Sequence, residues 1–153
     1  MNTFASQTAN GAGPPTPKTV SQVLGEIVWL MTQSPVHKQL FISDLEWFCM
    51  PAILLEQFRV FNGPSSPAAV AFWAFVSEET EARLLAGGAK LRVDEWKNGD
   101  RPWLVELVAP FGAVDEIVAD LSVNVFPDRA FKFHRLAPDG RREVAVFGAG
   151  EAS

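Results

Sequence analysis

The stretch Trp103-Leu104-Val105-Glu106-Leu107-Val108 decides the fold. It is apolar on both faces except at Glu106, the pattern of a strand covered from both sides and therefore central in a sheet. Ala109-Pro110-Phe111-Gly112 makes a sharp exit, and Val114 to Val125 follows with Val114, Ile117, Val118 and Leu121 at helical spacing until Pro127 stops it. Ala130–Leu136 and Glu143–Phe147 read as two further strands across the turn Pro138-Asp139-Gly140-Arg141. Upstream, Gln57–Phe61 and Ala69–Val76 read as strands on either side of Asn62-Gly63-Pro64-Ser65-Ser66-Pro67, a hairpin signature. Ser77 caps an acidic-fronted helix from Glu78 to Ala86, stopped by Gly87 and Gly88. Lys90–Pro102 is polar and turn-rich.

The N-terminal half supplies two more helices. Thr19 and Gln22 have the spacing of a capping box, and Val20, Leu24, Ile27 and Met31 follow on one face, widened by Val23, Val28 and Leu30. Pro35 disfavours helix at Ser34, so His37 lies just past a helix end, on backbone free to aim its ring. Ser43-Asp44-Leu45-Glu46 opens a second helix, which Pro51 breaks or kinks. The sum is an α+β domain with a mixed sheet of about five strands flanked by helices. Its expected bounds are 19–148, after a disordered lead (1–18) rich in Gly and Pro and before a short tail (149–153).

Composition narrows the function. The 153 residues suit one compact domain, and 48% of them are hydrophobic, enough to bury a core. Twelve Phe and five Trp with no Tyr make that core aromatic. A net charge of −5 without a basic stripe argues against nucleic-acid binding. The N-terminus lacks the basic and apolar regions of a secretory signal, and no stretch reaches the length of a membrane span, so a cytoplasmic protein is expected. With Cys49 as the single cysteine there is no internal disulfide or thiolate metal site, and a small buried residue is the plainer reading of it. The two histidines are too far apart for zinc spacing, and no phosphate-binding glycine loop is present.

The chemistry-bearing candidates are few. His37 has the side-chain type that titrates near neutrality and can serve as a general base, although a surface histidine after a helix is commonly a bystander. Glu106 interrupts an apolar strand. It orients and charges a histidine, holds a substrate ammonium, or forms a structural salt bridge. Ser34 is either a nucleophile or a helix-end residue. His134, in a strand alternating aromatic and polar residues, is expected to face solvent. The turn Ala109–Gly112 ahead of a helix can direct backbone N–H groups at an anion.

Six strings in one order carry a resemblance: Leu24-Gly25-Glu26-Ile27-Val28-Trp29-Leu30, Ser34-Pro35-Val36-His37, Met50-Pro51-Ala52-Ile53, Glu95 to Trp103, Ala109-Pro110-Phe111-Gly112 and Phe126-Pro127-Asp128. Together they resemble the RTX toxin-activating lysine acyltransferases over residues 21 to 148. The resemblance implies a GNAT-like fold, no bound cofactor, and transfer of a fatty acyl group from acyl-ACP to internal lysines of an RTX protoxin. It also implies acyl carrier protein as a partner and a homodimer. It assigns the essential histidine to His37, the associated serine to Ser34 and the strand carboxylate to Glu106, where the best-known members have aspartate. The sequence ends soon after Phe147-Gly148, where many members continue. Phe72, Trp73, Phe75, Trp29 and Trp47 are candidates for an acyl groove or for plain core. Arg59, Lys90, Arg92, Lys97, Arg101 and Arg135 are candidates for an ACP-docking patch. The rival reading is a non-catalytic, chaperone-like binder of an exported RTX protein on the same scaffold. A CoA-dependent small-molecule acetyltransferase is a third, disfavoured by the missing pyrophosphate loop.

Overall fold

The computed structural model describes residues 17–88 and 90–149. The expected disordered lead and the tail therefore lie almost wholly outside the described residues. Helix α1 spans Val20–Thr32, α2 Leu45–Phe48, α3 Met50–Leu55, α4 Glu78–Leu85 and α5 Val114–Asn124. Strands β1 (Phe58–Asn62), β2 (Pro67–Val76), β3 (Arg101–Val108), β4 (Ala130–Leu136) and β5 (Arg142–Gly148) form one open sheet in the order β1-β2-β3-β4-β5. The β1–β2 and β4–β5 pairs are antiparallel and β3–β4 is parallel, so the sheet is mixed and β3 is its third strand, as its two apolar faces require. This is the expected α+β architecture, compatible with a GNAT-like arrangement.

The chain packs as two compact units. Among the described residues, one takes in 17–72 together with Leu107–Gly112; the other takes in 73–88, 90–106 and 113–149.

In the first unit, Thr19 caps α1 with the full reciprocal box: its hydroxyl accepts from the Gln22 N–H and the Gln22 amide accepts from the Thr19 N–H. The buried stripe of α1 is Val23, Ile27, Leu30 and Met31. It is rotated from the expected face, for Val20 and Val28 stand exposed. The second helix also starts differently. A 3-10 turn at Ile42–Asp44 precedes it, and α2 has no side-chain cap hydrogen bond: the Asp44 carboxylate instead reaches back to the Phe41 N–H at 2.7 Å and accepts from the Trp47 indole at 3.0 Å. Pro51 sits in the first turn of α3, where a missing N–H is harmless, and so divides α2 from α3. Phe48 packs edge-on against Phe72 at 5.6 Å.

The second unit is built around Phe126, Phe131 and Trp73, with Phe126 at 4.9 Å from Phe131 and 5.9 Å from Trp73. Three carboxylates front α4 and Ser77 caps it. One of them, Glu81, is buried and takes hydrogen bonds from the Trp103 indole (2.9 Å), Arg101 (2.8 Å) and Lys132 (3.1 Å). Burial alone would raise its pKa, but these donors together hold it below the ordinary carboxylate range. The turn-rich segment before β3 is more than a connector. Leu91, Glu95 and Trp96 are buried within it, and Glu95 receives both Arg83 nitrogens at 2.7 Å. Those bonds depress the Glu95 carboxyl to about 2. His134 does not face solvent. It is half-buried, its Nε2–H donates to the Leu84 carbonyl at 2.9 Å, and its ring lies 5.4 Å from Trp103.

Two measurements follow from these contacts. A Cβ on Gly99 would lie 2.3 Å from the Val76 oxygen and 2.4 Å from the Ser77 nitrogen. Gly99→Ala should therefore cost at least about 2 kcal/mol in urea unfolding. Gly25→Ala, with nothing within 4 Å, should gain about 0.5–1 kcal/mol. Because the Glu95 pKa is depressed on folding, its stabilisation is present above about pH 4.5 and fades as pH falls towards 2. Wild type should lose on the order of 2 kcal/mol from this group across that window. Glu95→Gln should be less stable at neutral pH and show a flatter acid limb.

Candidate active site

The site begins where α1 ends. Gln33 closes the helix in a right-handed conformation, the Ser34 N–H still reaches the Met31 carbonyl at 3.1 Å, and Pro35 then prevents another turn. The chain recoils into a 3-10 turn at His37–Gln39, with the Lys38 N–H donating to the Ser34 carbonyl at 3.0 Å. That recoil brings residues three apart face to face. The buried Ser34 hydroxyl lies 2.7 Å from His37 Nδ1 and also accepts from the His37 N–H at 3.3 Å. Phe48 packs against the imidazole with ring centroids 5.7 Å apart. The His37 ring is thus held on one edge by a hydroxyl and packed at a tilt against a phenyl. The freely aimed ring expected from the sequence is not what is seen.

Around the ring lies an apolar surface that the sequence reading did not single out. A cavity of about 110 Å³ is lined by Val28, Met31, Leu40, Phe41, Ile42 and Leu45 together with Thr32, His37 and Lys38. Val36, Phe41 and Ile42 are 74, 76 and 86% exposed. Three large apolar side chains held in water beside one histidine form the kind of patch that marks a binding surface. The sequence signal was there: Val36 and Leu40-Phe41-Ile42 belong to no periodic element, so packing within a helix or strand does not account for them.

Glu106 lies in the second unit, half-buried near the end of β3, with Leu104 and Val108 buried on its own face of the strand. The structure thus brings Ser34 and His37 together and places Glu106 as a carboxylate within an apolar strand face. Of the groove candidates, Phe72 and Trp73 are buried core. Of the basic candidates, Arg92, Arg101 and Arg135 are engaged by Asp94 and Glu95, Glu81, and Glu143 respectively. Cys49 is fully buried and its thiol is pushed up to about 12 by burial, which removes it as a nucleophile. Among the described residues, no cluster of three or more His, Cys, Asp or Glu could hold a metal ion, and no helix is long and apolar enough to cross a membrane.

A buried serine bonded to an imidazole, set in an apolar surface, is equipment for moving a proton beside a greasy substrate. Residues 16–147 match the RTX toxin acyltransferase family, and the chain belongs to that family. It is an acyltransferase. The non-catalytic reading is set aside by this result. Among individual relatives, the RTX-I toxin-activating lysine-acyltransferase ApxIC of Actinobacillus pleuropneumoniae is 35% identical over 85% of this chain and 76% of its own. The protein-lysine myristoyltransferase HlyC of Escherichia coli is 31% identical over 76% and 68%. An uncharacterised protein of Synechocystis is 33% identical over 82% and 86%.

Cys49 supplies the check on which side chains are available for chemistry. A thiol reagent at pH 8 should leave the native protein unmodified and label one equivalent only on unfolding in urea. Rapid labelling of the folded protein would contradict the burial described.

Proposed function

We propose that this acyltransferase moves a fatty acyl group from acyl-ACP to the ε-amino groups of internal lysines in an RTX-type protoxin, and so activates it. The observation that carries the reading is the 2.7 Å contact between Ser34 and His37 within a string that matches the family. The names of the relatives, which include toxin-activating lysine-acyltransferases and a lysine myristoyltransferase, support the acceptor and the acyl class.

In the proposed mechanism Ser34 accepts from Nδ1–H and fixes the tautomer, which assigns the proton-accepting role to Nε2. An acceptor lysine, with a reference pKa of about 10.4, arrives as an ammonium and must first lose a proton. His37 takes it. The amine then attacks the thioester carbonyl and the C–N bond forms; His37, its first proton released to solvent, takes the second from the attacking nitrogen and hands it to the departing carrier thiolate as the C–S bond breaks. The family resemblance, which matches Glu106 to the strand carboxylate, gives it the role of favouring the imidazolium. The apolar cavity beside His37, at about 110 Å³, receives a short part of the acyl chain near the thioester rather than all of it. No bound cofactor takes part. The enzyme acts in the cytoplasm as a homodimer, where acyl-ACP and the unexported acceptor are both at hand.

Co-expression with the acceptor protein, followed by peptide mass spectrometry, tests the reading. Wild type should leave fatty-acyl masses on lysine. His37→Ala should lower the rate by about 10²–10⁴-fold, the usual worth of a general base. Ser34→Ala and Glu106→Gln should each give smaller losses. Acylation that survives His37→Ala overturns the mechanism, and a trapped acyl-enzyme formed from acyl-ACP alone replaces it with a covalent route.

A further inference from the structure

The face of α1 turned away from its buried stripe carries Gln22, Gly25, Glu26 and Trp29 in successive turns. With Lys18 and the β1–β2 turn at Ser65-Ser66-Pro67 it lines a second cavity, open to solvent, of about 580 Å³. That is within the size range of ligand sites. It shares no lining residue with the cavity beside His37. Its chemistry is specific. One carboxylate oxygen of Glu26, Oε2, is ion-paired with the Lys18 ammonium, with side chains only 22 and 15% exposed. The other, Oε1, is buried and has no hydrogen-bond partner among the described residues. The Trp29 ring lies 6.4 Å from Phe111, and both rings are exposed.

We propose that this cavity is an acceptor-recognition subsite, which takes a lysine or arginine side chain near the lysine to be acylated, with Lys18 holding the place in the free protein. The inference rests on the lysine-acylating function proposed above. A carboxylate disfavours an anionic guest, and a purely apolar guest leaves Oε1 without a donor. A basic side chain supplies both a cation for the carboxylate and a methylene stem for the aromatic wall. Lys18 already demonstrates the fit. The helix also sets a spacing. From Glu26 to the end of α1 is roughly 9 Å at 1.5 Å per residue, which corresponds to about three residues of extended acceptor.

The test uses the full chain, an acyl-ACP donor and synthetic peptides. Each peptide has one acylatable lysine and, three or four residues away, either arginine or its neutral analogue citrulline. Wild type should show an acceptor KM about tenfold lower for the arginine peptide, as expected for losing one charge-assisted contact. Glu26→Gln should abolish that discrimination. Lys18→Met, which removes the internal competitor, should lower the arginine-peptide KM several-fold. Opposite signs for the two substitutions support the subsite. A structural ion pair alone predicts that both lower the urea midpoint and neither alters arginine–citrulline discrimination, and that result overturns the proposal. Titrating both peptides against wild type without donor, followed by Trp fluorescence, separates the two hypotheses. Selective binding of the arginine peptide without any acylation refutes the function and keeps the subsite. Acylation with equal binding of the two peptides does the reverse.

Discussion

The buried carboxylate of Glu81 is the constraint on which much of the second unit depends. A carboxylate taken out of water is tolerated only with donors around it. Here they come from two strands: Arg101 and Trp103 at the start of β3, and Lys132 on β4, opposite Trp103 in the parallel register. Helix α4 is thereby tied to β3 and β4 at one point, and sliding either strand by a residue would strand the charge. Fixing β3 at Trp103 also sets its pleat, so that Leu104, Glu106 and Val108 share one face. The position of the candidate catalytic carboxylate is a consequence of a structural one.

In the first unit a local conflict creates the candidate site. The apolar stripe of α1 runs on to Met31 and the buried Ser34, but Pro35 cannot continue the helix. The chain must recoil, and the recoil joins Ser34 to His37. The same loop holds Val36, Phe41 and Ile42 out in water, against the hydrophobic effect. A protein selected for stability alone would bury or replace them. Under the proposed function such a surface is dry only when an acyl chain occupies it.

How much of this was legible depended on periodicity. The strands, the β1–β2 and β4–β5 hairpins and the caps at Thr19 and Ser77 were readable because alternation, turn chemistry and capping act between near neighbours. The face of α1 was misjudged by part of a turn, since eight apolar residues in its thirteen leave more than one stripe consistent with the pattern. The segment before β3 reads as polar because Glu95 is charged, yet Arg83, twelve residues earlier, is what allows it to be buried. His134 was misplaced for a similar reason. Its partner, the Leu84 carbonyl, lies fifty residues away and leaves no local trace.

The sequence by itself determined the class of fold, the end of α1 at Pro35, the family, and the identity of Ser34 and His37 as a pair worth watching. All of these rest on short-range sterics or on strings of adjacent residues. Only the tertiary structure decided which aromatic rings are core and which stand in water. It also showed that the His37 ring is held by Ser34 and Phe48, and that Glu26 lines a cavity with one oxygen unmet among the described residues. Burial and hydrogen-bond satisfaction are set by residues distant in the chain, and no local pattern encodes which of them will meet.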